Sequence, residues 1–312
     1  MPNPYHSCPI LLALMPLLLS GCLAGDGEPS SQNAPLSGEP VLLTAANVET
    51  AAGETTTLMD VVSSVATLDD SLLEMSSSVV PCSLVGYGGE GTIGISGILQ
   101  HPGDKMDITY NGCTVAGAPI NGTLHATLNS RYLGDDGEGY STTFLYQGFT
   151  IGGGHRLVTS LTGSITVEGN YDYLSETMTT TRTSSSLTMQ QEGGVNLKVT
   201  EMRCLDSYTG LWDTAPFVMQ CDLQFQSGSL GGAVSVVTTE PFRGVGGENR
   251  PTSGEIRISG ANGSTSKIIA REDGETVLIT WDENGDGLFE GQVIKTWQAL
   301  KLDLLNWANL LR

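Results

Sequence analysis

Short runs rich in Thr, Val, Ile and Tyr, separated by Gly, Asn and Asp, occupy residues 82–293 and dominate the chain. Within residues 122–129, the apolar residues Leu124, Ala126 and Leu128 alternate with threonine and histidine. Such alternation is typical of a β-strand with one buried face and one wetted face. Gly and Asn between neighbouring runs are typical of hairpin turns. We therefore predict one antiparallel β domain over residues 81–295.

Two architectures can arrange these strands, a β-sandwich and a partly closed barrel. Glycine accounts for 40 of 312 residues, and Gly-led strands begin at uneven intervals, at Gly163, Gly228 and Gly254. Glycine-rich strands of uneven length do not form a regular barrel easily, because strand number and stagger are linked in a barrel. We therefore favour an all-β sandwich, keep the partly closed barrel as the alternative, and expect short α-helices at both ends of the domain.

Helical periodicity flanks the strands on both sides. From Leu58, apolar residues recur at steps of three and four, which predicts a helical segment within residues 41–80. The threonines at 55–57 are the expected N-terminal cap. After the strands, one stripe of six residues predicts an amphipathic helix over residues 296–312: Trp297, Leu300, Leu304, Trp307, Ala308 and Leu311. We expect this helix to cover the sheet.

The first 21 residues are expected to be a removable leader. Residues 10–19 are almost wholly apolar, but a helix needs about 20 such residues to span a bilayer. A run of this length followed by small residues is typical of a secretory signal peptide. Residues 22–40 are rich in Gly, Ser, Pro and acidic residues, which predicts a flexible tether.

The residues at the end of this leader, Leu19-Ser20-Gly21-Cys22, resemble the lipobox of bacterial lipoproteins. In that family the cysteine becomes the lipidated first residue of the mature chain. The resemblance therefore implies lipidation of Cys22 and a membrane as a partner. Leu23 stands where an aspartate would favour the inner membrane, so the resemblance implies the outer membrane. Each buried methylene of an acyl chain contributes about 0.8 kcal/mol to such an anchor.

The order of motifs in the mature chain is similar to that of uncharacterised Gram-negative outer-membrane lipoproteins. It runs from a cysteine through Gly-rich strands, Tyr-Asn-Gly-Cys and Asn-Gly-Thr-Leu to Trp-Asp-Glu-Asn-Gly-Asp-Gly-Leu-Phe-Glu. The resemblance implies a location in the cell envelope, with the body in the periplasm or at the cell surface, and a β-rich fold. It supplies no catalytic residue and no known ligand.

The chain is strongly acidic, with 34 acidic and 14 basic residues and a formal charge of -20. Such a surface repels phosphate backbones, so we expect no nucleic-acid partner. Neither a Gly-x-Ser-x-Gly elbow nor a His-Glu-x-x-His motif occurs in the sequence. We therefore expect a lipoprotein without catalysis, with a structural role or an envelope protein as its partner. The alternative function is a carrier of an apolar, lipid-like ligand.

The cysteines predict two disulfides. Six cysteines occur in the sequence, and four remain after Cys8 leaves with the leader and Cys22 receives lipid. An even number in an oxidising compartment indicates disulfides, whereas a zinc site would need closer spacing. Of the three possible connectivities, we favour the two bonds that are local in sequence: Cys82–Cys113 and Cys204–Cys221.

The turn at residues 282–290, Asp-Glu-Asn-Gly-Asp-Gly-Leu-Phe-Glu, matches the first half of an EF-hand loop. Its candidate calcium ligands are Asp282, Asn284, Asp286, the carbonyl oxygen of Leu288, and Glu290. The glutamate at position 12 of an EF-hand is missing, and a strand pattern precedes the turn where an EF-hand has a helix. Asn-Gly between two apolar runs is also a strong hairpin signal. We therefore favour a metal-free hairpin and keep a weak calcium site as the alternative.

A second acidic turn, Gly-Asp-Asp-Gly-Glu-Gly, lies at residues 134–139. Its carboxylates also make it a candidate for a metal. We consider a metal less favoured here than at residues 282–290.

Overall fold

Antiparallel β-strands make up most of the chain in the computed structural model of this protein. The structure describes residues 36–70, 76–85, 88–115, 118–153, 156–191, 195–210, 215–245 and 250–300. In these ranges, fourteen strands form a single sheet, and each strand lies beside its neighbours in sequence. The predicted all-β class with flanking helices is confirmed.

Helices precede and follow the strands. They are α1 (Val48–Asp70) and α2 (Trp297–Leu300). The strands are β1 (Ser78–Pro81), β2 (Thr92–Gly97), β3 (Lys105–Val115), β4 (Ala118–Leu133), β5 (Gly137–Gly153), β6 (Arg156–Asp172), β7 (Thr177–Gln191), β8 (Asn196–Thr209), β9 (Pro216–Ser227), β10 (Gly232–Val245), β11 (Ser253–Ser259), β12 (Thr265–Ala270), β13 (Thr276–Asp282) and β14 (Gly291–Thr296). Short 3₁₀ helices lie at Cys82–Val85 and Ala261–Gly263.

Alternation along each strand separates a buried face from a wetted face. In β4, Leu124, Ala126 and Leu128 are buried, as their spacing predicts. His125 lies between them on the outer face, where its Nδ1 is 2.7 Å from Oδ1 of Asp107 on β3. Buried side chains from β2 to β13 belong to one hydrophobic core. The two-residue period therefore places the core on one side of the whole sheet.

The sheet is continuous but not closed. Within the described residues, the edge strands β1 and β14 pair only with β2 and β13, respectively. A sandwich is built from two sheets packed face to face, whereas all fourteen strands here share one hydrogen-bonded ladder. The partly closed arrangement is therefore the closer of the two predicted alternatives.

The sheet curves around α1. This helix contacts both β7 and β13, which are six strands apart in the sheet. Glu54 of the same helix also accepts a hydrogen bond from Ser229, in the turn between β9 and β10. Residues 51–59 of α1 are all buried, on every side of the helix. The concave face of the sheet therefore encloses this part of α1.

The structure corrects the expected start of this helix. It begins at Val48, so that Thr55 and Thr56 are buried inside it and do not cap it. A turn at residues 44–47 precedes the helix, and in it the Thr44 N–H donates to Oδ1 of Asn47 at 2.8 Å. A helix enclosed on all sides needs no apolar stripe, so residues 48–57 carry no periodic signal. The segment 41–80 is also not helical to its end, because β1 already begins at Ser78.

The last residues of the predicted tether belong to the folded body. Pro40 forms a parallel bridge with Ala233 of β10. The Ala233 N–H donates to the Glu39 carbonyl oxygen at 2.8 Å, and the Val41 N–H donates to the Ala233 carbonyl oxygen at 3.0 Å. Backbone groups make these bonds, so the composition of residues 36–40 gave no sign of them. The rest of the predicted tether, residues 22–35, lies outside the described residues.

The C-terminal helix is described for only one turn. Trp297 and Leu300 of α2 are buried, as the predicted stripe requires. The Trp297 ring packs edge-on against Phe242 of β10, with ring centroids 5.9 Å apart. The other members of the stripe, in residues 301–312, lie outside the described residues. In the part of the chain that the structure describes, no helix has both the length and the apolar character needed to cross a membrane.

Candidate functional site

Two adjoining cavities lie at the end of the sheet where the β4–β5 and β6–β7 turns meet. The apolar pocket, of about 270 Å³, is lined mainly by six large side chains: Leu99, Leu128, Tyr132, Tyr140, Tyr171 and Met178. The acidic groove, of about 610 Å³, lies over the two turns and includes Asp135, Asp136 and Asp172 in its lining. Tyr132, Asn170 and Tyr171 belong to both cavities, so the cavities share a wall.

Two glycines allow tyrosine rings to form this wall. Gly169 on β6 pairs with Tyr140 on β5, and a Cβ atom at Gly169 would lie 2.4 Å from the Tyr140 ring. Similarly, a Cβ atom at Gly139 would lie 2.3 Å from the Tyr132 ring. Any larger residue would push these rings away from the strands. Glycines therefore do more than form turns in this chain: within the strands, they leave room for aromatic rings to pack against the backbone.

One buried hydroxyl in the apolar pocket lacks a partner. Thr142 on β5 is 0% exposed, and it lines the pocket beside Leu128, its cross-strand neighbour on β4. Its Oγ1 has no hydrogen-bond partner within the described part of the chain. Six buried hydroxyls of the described residues lack a partner, and that of Thr142 is the one that lines either cavity. Each such group costs about 1–3 kcal/mol when it stays unpaired. The Thr142 hydroxyl is therefore available to a polar atom of a bound molecule.

The acidic groove has carboxylates without basic partners. Among the described residues, none of the ion pairs involves Asp135, Asp136 or Asp172. Asp172 Oδ1 accepts the N–H groups of Leu174 and Ser175, each at 2.9 Å. These backbone hydrogen bonds, with that of Ser175 first, lower the pKa of the Asp172 carboxyl below its ordinary value. The groove therefore presents negative charge at neutral pH.

A buried ion pair lies on the concave face beside the apolar pocket. Arg182 of β7 donates to Asp206 of β8, and both side chains are almost fully buried. Val167 of β6 connects the two sites, because it pairs with Thr142 on one side and Arg182 on the other. Burial raises the pKa of the Asp206 carboxyl, although the Arg182 charge acts in the opposite direction.

The same surroundings affect the next inward-facing residue of β8. Burial, and then the Asp206 charge, raise the pKa of Tyr208 to about 12. The phenol therefore stays neutral throughout the physiological range. A charged pair and a neutral phenol thus interrupt the apolar lining of the concave face.

Both predicted cysteine pairs lie at disulfide distance. Cys82 and Cys113 have Cα atoms 5.5 Å apart, and Cys204 and Cys221 have Cα atoms 4.0 Å apart. The second pair are direct cross-strand partners on β8 and β9. The pairing that is local in sequence is therefore confirmed.

The turn at residues 282–290 connects β13 to β14, as the hairpin hypothesis predicts. Asp282, Asp286 and Glu290 each place a carboxylate oxygen within 4.8 Å of the others. Asp282 accepts the N–H groups of Gly285 and Gly287, at 2.7 and 2.8 Å. The carboxylates therefore hold the loop in its conformation.

The two remaining candidate ligands of this turn are Asn284 and the carbonyl oxygen of Leu288. Asn284 Oδ1 accepts the Asp286 N–H at 2.8 Å, while Asn284 Nδ2 donates to Glu290 at 2.7 Å. Leu288 has a largely exposed side chain. An amide oxygen has two lone pairs, so the bond from the Asp286 N–H leaves the Asn284 oxygen able to coordinate an ion. The metal-free hairpin and the calcium alternative therefore both stay predictions.

Lipidation of Cys22 also stays a prediction, because residues 1–35 lie outside the described residues. Sequence reasoning missed the pocket and the buried ion pair. Its one signal near them was the acidic turn at residues 134–139, which it considered only as a weaker metal candidate. The structure places this turn in the lining of the two cavities.

Comparisons of the chain with protein-family models, with curated proteins and with solved structures give no match.

Proposed function

We propose that this protein binds a small, mainly apolar ligand in the apolar pocket. The observation that carries the proposal is a pocket of Leu, Met and Tyr side chains with one fully buried, unpaired hydroxyl. Small-molecule sites are typically apolar cavities with a few placed polar groups that orient the ligand. Leu128 and Met178 would contact the apolar body, and Thr142 would pair with one polar atom.

The construction of the wall supports a preformed site. β4, β5, β6 and β7 have 15 to 17 residues each, and each is paired along both sides. Side chains on long, doubly paired strands lose little further freedom when a ligand binds. Binding then costs less conformational entropy than it would at a mobile loop.

We propose that binding occurs without a chemical step. Among the described residues that line the two cavities, none is histidine, cysteine or lysine. Those side chains most often act as bases or activated nucleophiles. The carboxylates and phenols of the lining are also able to act as acids or bases, and we assign them to holding the ligand.

The proposed setting is the outer membrane, with an acylated Cys22 as the anchor. Residues 22–38 precede the first backbone bonds to β10, and 17 extended residues reach at most about 60 Å. The anchor would hold the body close to the membrane while allowing it to turn. Replacing Cys22 with Ala should release the body from the membrane fraction or stall processing. Recovery of a mature, processed Cys22→Ala chain with the outer membrane would contradict the anchor.

The second candidate function is a structural or partner-binding role. Two exposed leucines at the hairpin tips favour it, Leu133 on β4 at 76% exposure and Leu174 in the β6–β7 turn at 85%. In this role the two solvent-exposed leucines would contact an envelope protein. A Leu133→Ser, Leu174→Ser variant should then lose the partner and keep ligand binding.

Calorimetric titration of the mature chain with 1-octanol tests the ligand-binding proposal. We expect a dissociation constant on the order of 10⁻⁴ to 10⁻³ M, as is usual for so small a ligand. Met178→Trp should fill the pocket and abolish binding. Thr181→Trp, on the opposite face of the same strand, is the matched control and should bind normally. Equal binding by both variants would contradict the proposed site.

A further inference from the structure

We infer that the ligand is an apolar molecule with one uncharged oxygen function, and that it binds with this oxygen at the inner end of the apolar pocket, against the Thr142 hydroxyl. Long-chain alcohols and ketones belong to this class, whereas fatty acid anions and alkylammonium ions do not. The inference rests on the proposed function, because it assigns the chemistry and the direction of a molecule bound at that same site.

The strands β4 to β7 line the apolar pocket with three successive rows of side chains. Members of a row are cross-strand neighbours, and successive rows are two residues apart along β5. From the hairpin tips inwards, the rows are Glu138, Tyr171 and Met178, then Arg131 and Tyr140, then Leu128 and Thr142. Since alternate residues of a strand point to the same side, all three rows lie on the concave face. The row of Thr142 is about 13 Å along the strand from that of Glu138.

Of these three rows, only the innermost is buried. Glu138 and Arg131, the two charged residues of the pocket lining, are both exposed. Tyr171 and Met178 are half-buried, and Thr142 is 0% exposed. The charged residues therefore lie at the mouth of the pocket, and the Thr142 hydroxyl lies at its inner end.

The cross-strand neighbours of Thr142 are apolar. They are Leu128 on β4 and Val167 on β6, and both are buried. The ion pair of Arg182 and Asp206 lies beyond Val167, and its two charges compensate each other. A charge that is buried without a partner costs far more free energy than one hydrogen bond returns. The inner end of the pocket therefore accepts a neutral oxygen and excludes a carboxylate or an ammonium group.

The Thr142 hydroxyl also sets the direction of binding. Its Oγ1 has no partner within the described residues, and a hydroxyl can both donate and accept a hydrogen bond. A ligand that enters with its apolar end first leaves this hydroxyl unpaired, whereas a ligand that enters with its oxygen first pairs it. One hydrogen bond of ordinary strength, about fivefold in affinity, therefore favours binding with the oxygen first.

Four probes of equal chain length test the inference. The mature protein is titrated with 1-octanol, 2-octanone, octanoate and octylammonium at pH 7, where the last two are ions, and at high salt, which screens the field of the acidic chain. We expect both neutral probes to bind roughly fivefold more tightly than either ion, because an ion can bind only with its apolar end inwards and without the hydrogen bond to Thr142. The two ions have opposite charges, so a residual field cannot weaken both.

Variants of Thr142 test whether its hydroxyl causes the preference. Thr142→Val should weaken the binding of octanol and octanone to the level of the two ions and leave the affinity for the ions unchanged. Thr142→Ser retains the hydroxyl and should keep the preference. Thr280→Val removes an unpaired buried hydroxyl outside the pocket, so it is the matched control and should bind all four probes as the wild type does.

The outcomes also separate this inference from the proposed function. Equal binding of all four probes by the wild type, or a preference that persists in Thr142→Val, would overturn the inference and support the apolar pocket alone. Tighter binding of either ion than of octanol would also overturn the inference. Binding of none of the four probes would overturn the proposed function itself.

Discussion

The long strands and the short strands of this sheet are covered differently. β11 to β14 have only six or seven residues each, and α1 and the segment before it bond to residues of this region. The Leu43 N–H donates to Ser264 Oγ at 3.0 Å, and Lys295 Nζ lies 2.8 Å from Glu49 Oε2. By contrast, β5 and β6 have 17 residues each, and their turns border the two cavities.

Length explains this difference. The 23 residues of α1 span about 35 Å at 1.5 Å per residue, whereas 17 residues of strand span about 56 Å. One helix of this size cannot cover the full length of the long strands. The uncovered end of the long-strand region is where the structure has its cavities. We therefore expect changes in the two regions to have separable effects on stability and on binding.

The largest expected effect concerns the ion pair of the long-strand region. Arg182→Met leaves Asp206 buried without its partner and should lower the free energy of unfolding by about 3–5 kcal/mol. The double variant Arg182→Met with Asp206→Leu should recover most of this loss, since it removes the uncompensated charge. Urea denaturation of the three proteins measures the difference.

The matched change in the short-strand region is Lys295→Met, which breaks the more exposed pair with Glu49. It should cost under about 1 kcal/mol, because water screens this pair. Equal losses in the free energy of unfolding for Arg182→Met and Lys295→Met would show that the ion pairs of the two regions contribute equally to stability.

A smaller effect is expected from the unpaired hydroxyl. Thr142→Val keeps the shape of the side chain and removes the hydroxyl, which should weaken octanol binding by roughly fivefold, the value of one hydrogen bond of about 1 kcal/mol. The variant should be at least as stable as the wild type, since it removes an unpaired buried group. Thr280 of the short-strand region also has a buried, unpaired Oγ1. Thr280→Val is therefore the control for stability and should leave binding unchanged.

The pH dependence of stability should depend on Glu54 in α1. Desolvation by burial raises the pKa of this carboxyl above its ordinary value of 4.5, despite the hydrogen bond that Ser229 donates. The folded protein therefore holds this proton more tightly than the unfolded chain does. Stability should fall as the pH rises from 4.5 through the folded pKa.

The variant Glu54→Gln removes this titration. It should be more stable than the wild type at pH 7 and should have a flatter stability profile above pH 4.5. Glu49→Gln, at an exposed position in the same helix, should not change the profile in this way. The prediction would be contradicted if the free energy of unfolding of the wild type rose with pH above 4.5, or if Glu54→Gln had the same pH profile as the wild type.

The smallest expected effect is that of calcium on the turn at residues 282–290. The favoured hairpin hypothesis predicts equal shifts of the melting midpoint in the wild type and in Asp286→Ala, with 10 mM calcium against chelator at matched ionic strength. A site with an affinity of 10⁻⁴ M would instead add about 2.7 kcal/mol in the wild type alone. A shift confined to the wild type would establish the calcium alternative.

The features that the sequence predicted are local ones. Alternation in residues 122–129 depends on neighbouring residues, and Asn284-Gly285 defines its own turn. The pairing of Cys204 with Cys221 was expected from their short separation. Each of these signals lies within a few tens of residues, so that one sequence is enough to detect it.

The features that the sequence did not reveal depend on distant contacts. In β7, threonines and serines occupy both faces, so the burial of Arg182 is not visible until Asp206 is placed beside it. Similarly, the first half of α1 lacks an apolar stripe because residues 51–59 are buried on every side. The pocket depends on the difference in length between this helix and strands that lie far from it in sequence.

Photoaffinity labelling tests the central claim most directly. An octanol analogue with a diazirine near the end of its alkyl chain is bound to the mature protein and irradiated, and the labelled peptides are mapped by mass spectrometry. The account predicts labels on the β4, β6 and β7 residues of the apolar pocket, with Leu128, Tyr171 and Met178 foremost, and their loss in Met178→Trp. Labels concentrated on the short strands β11 to β14, or labelling that Met178→Trp leaves unchanged, would contradict it.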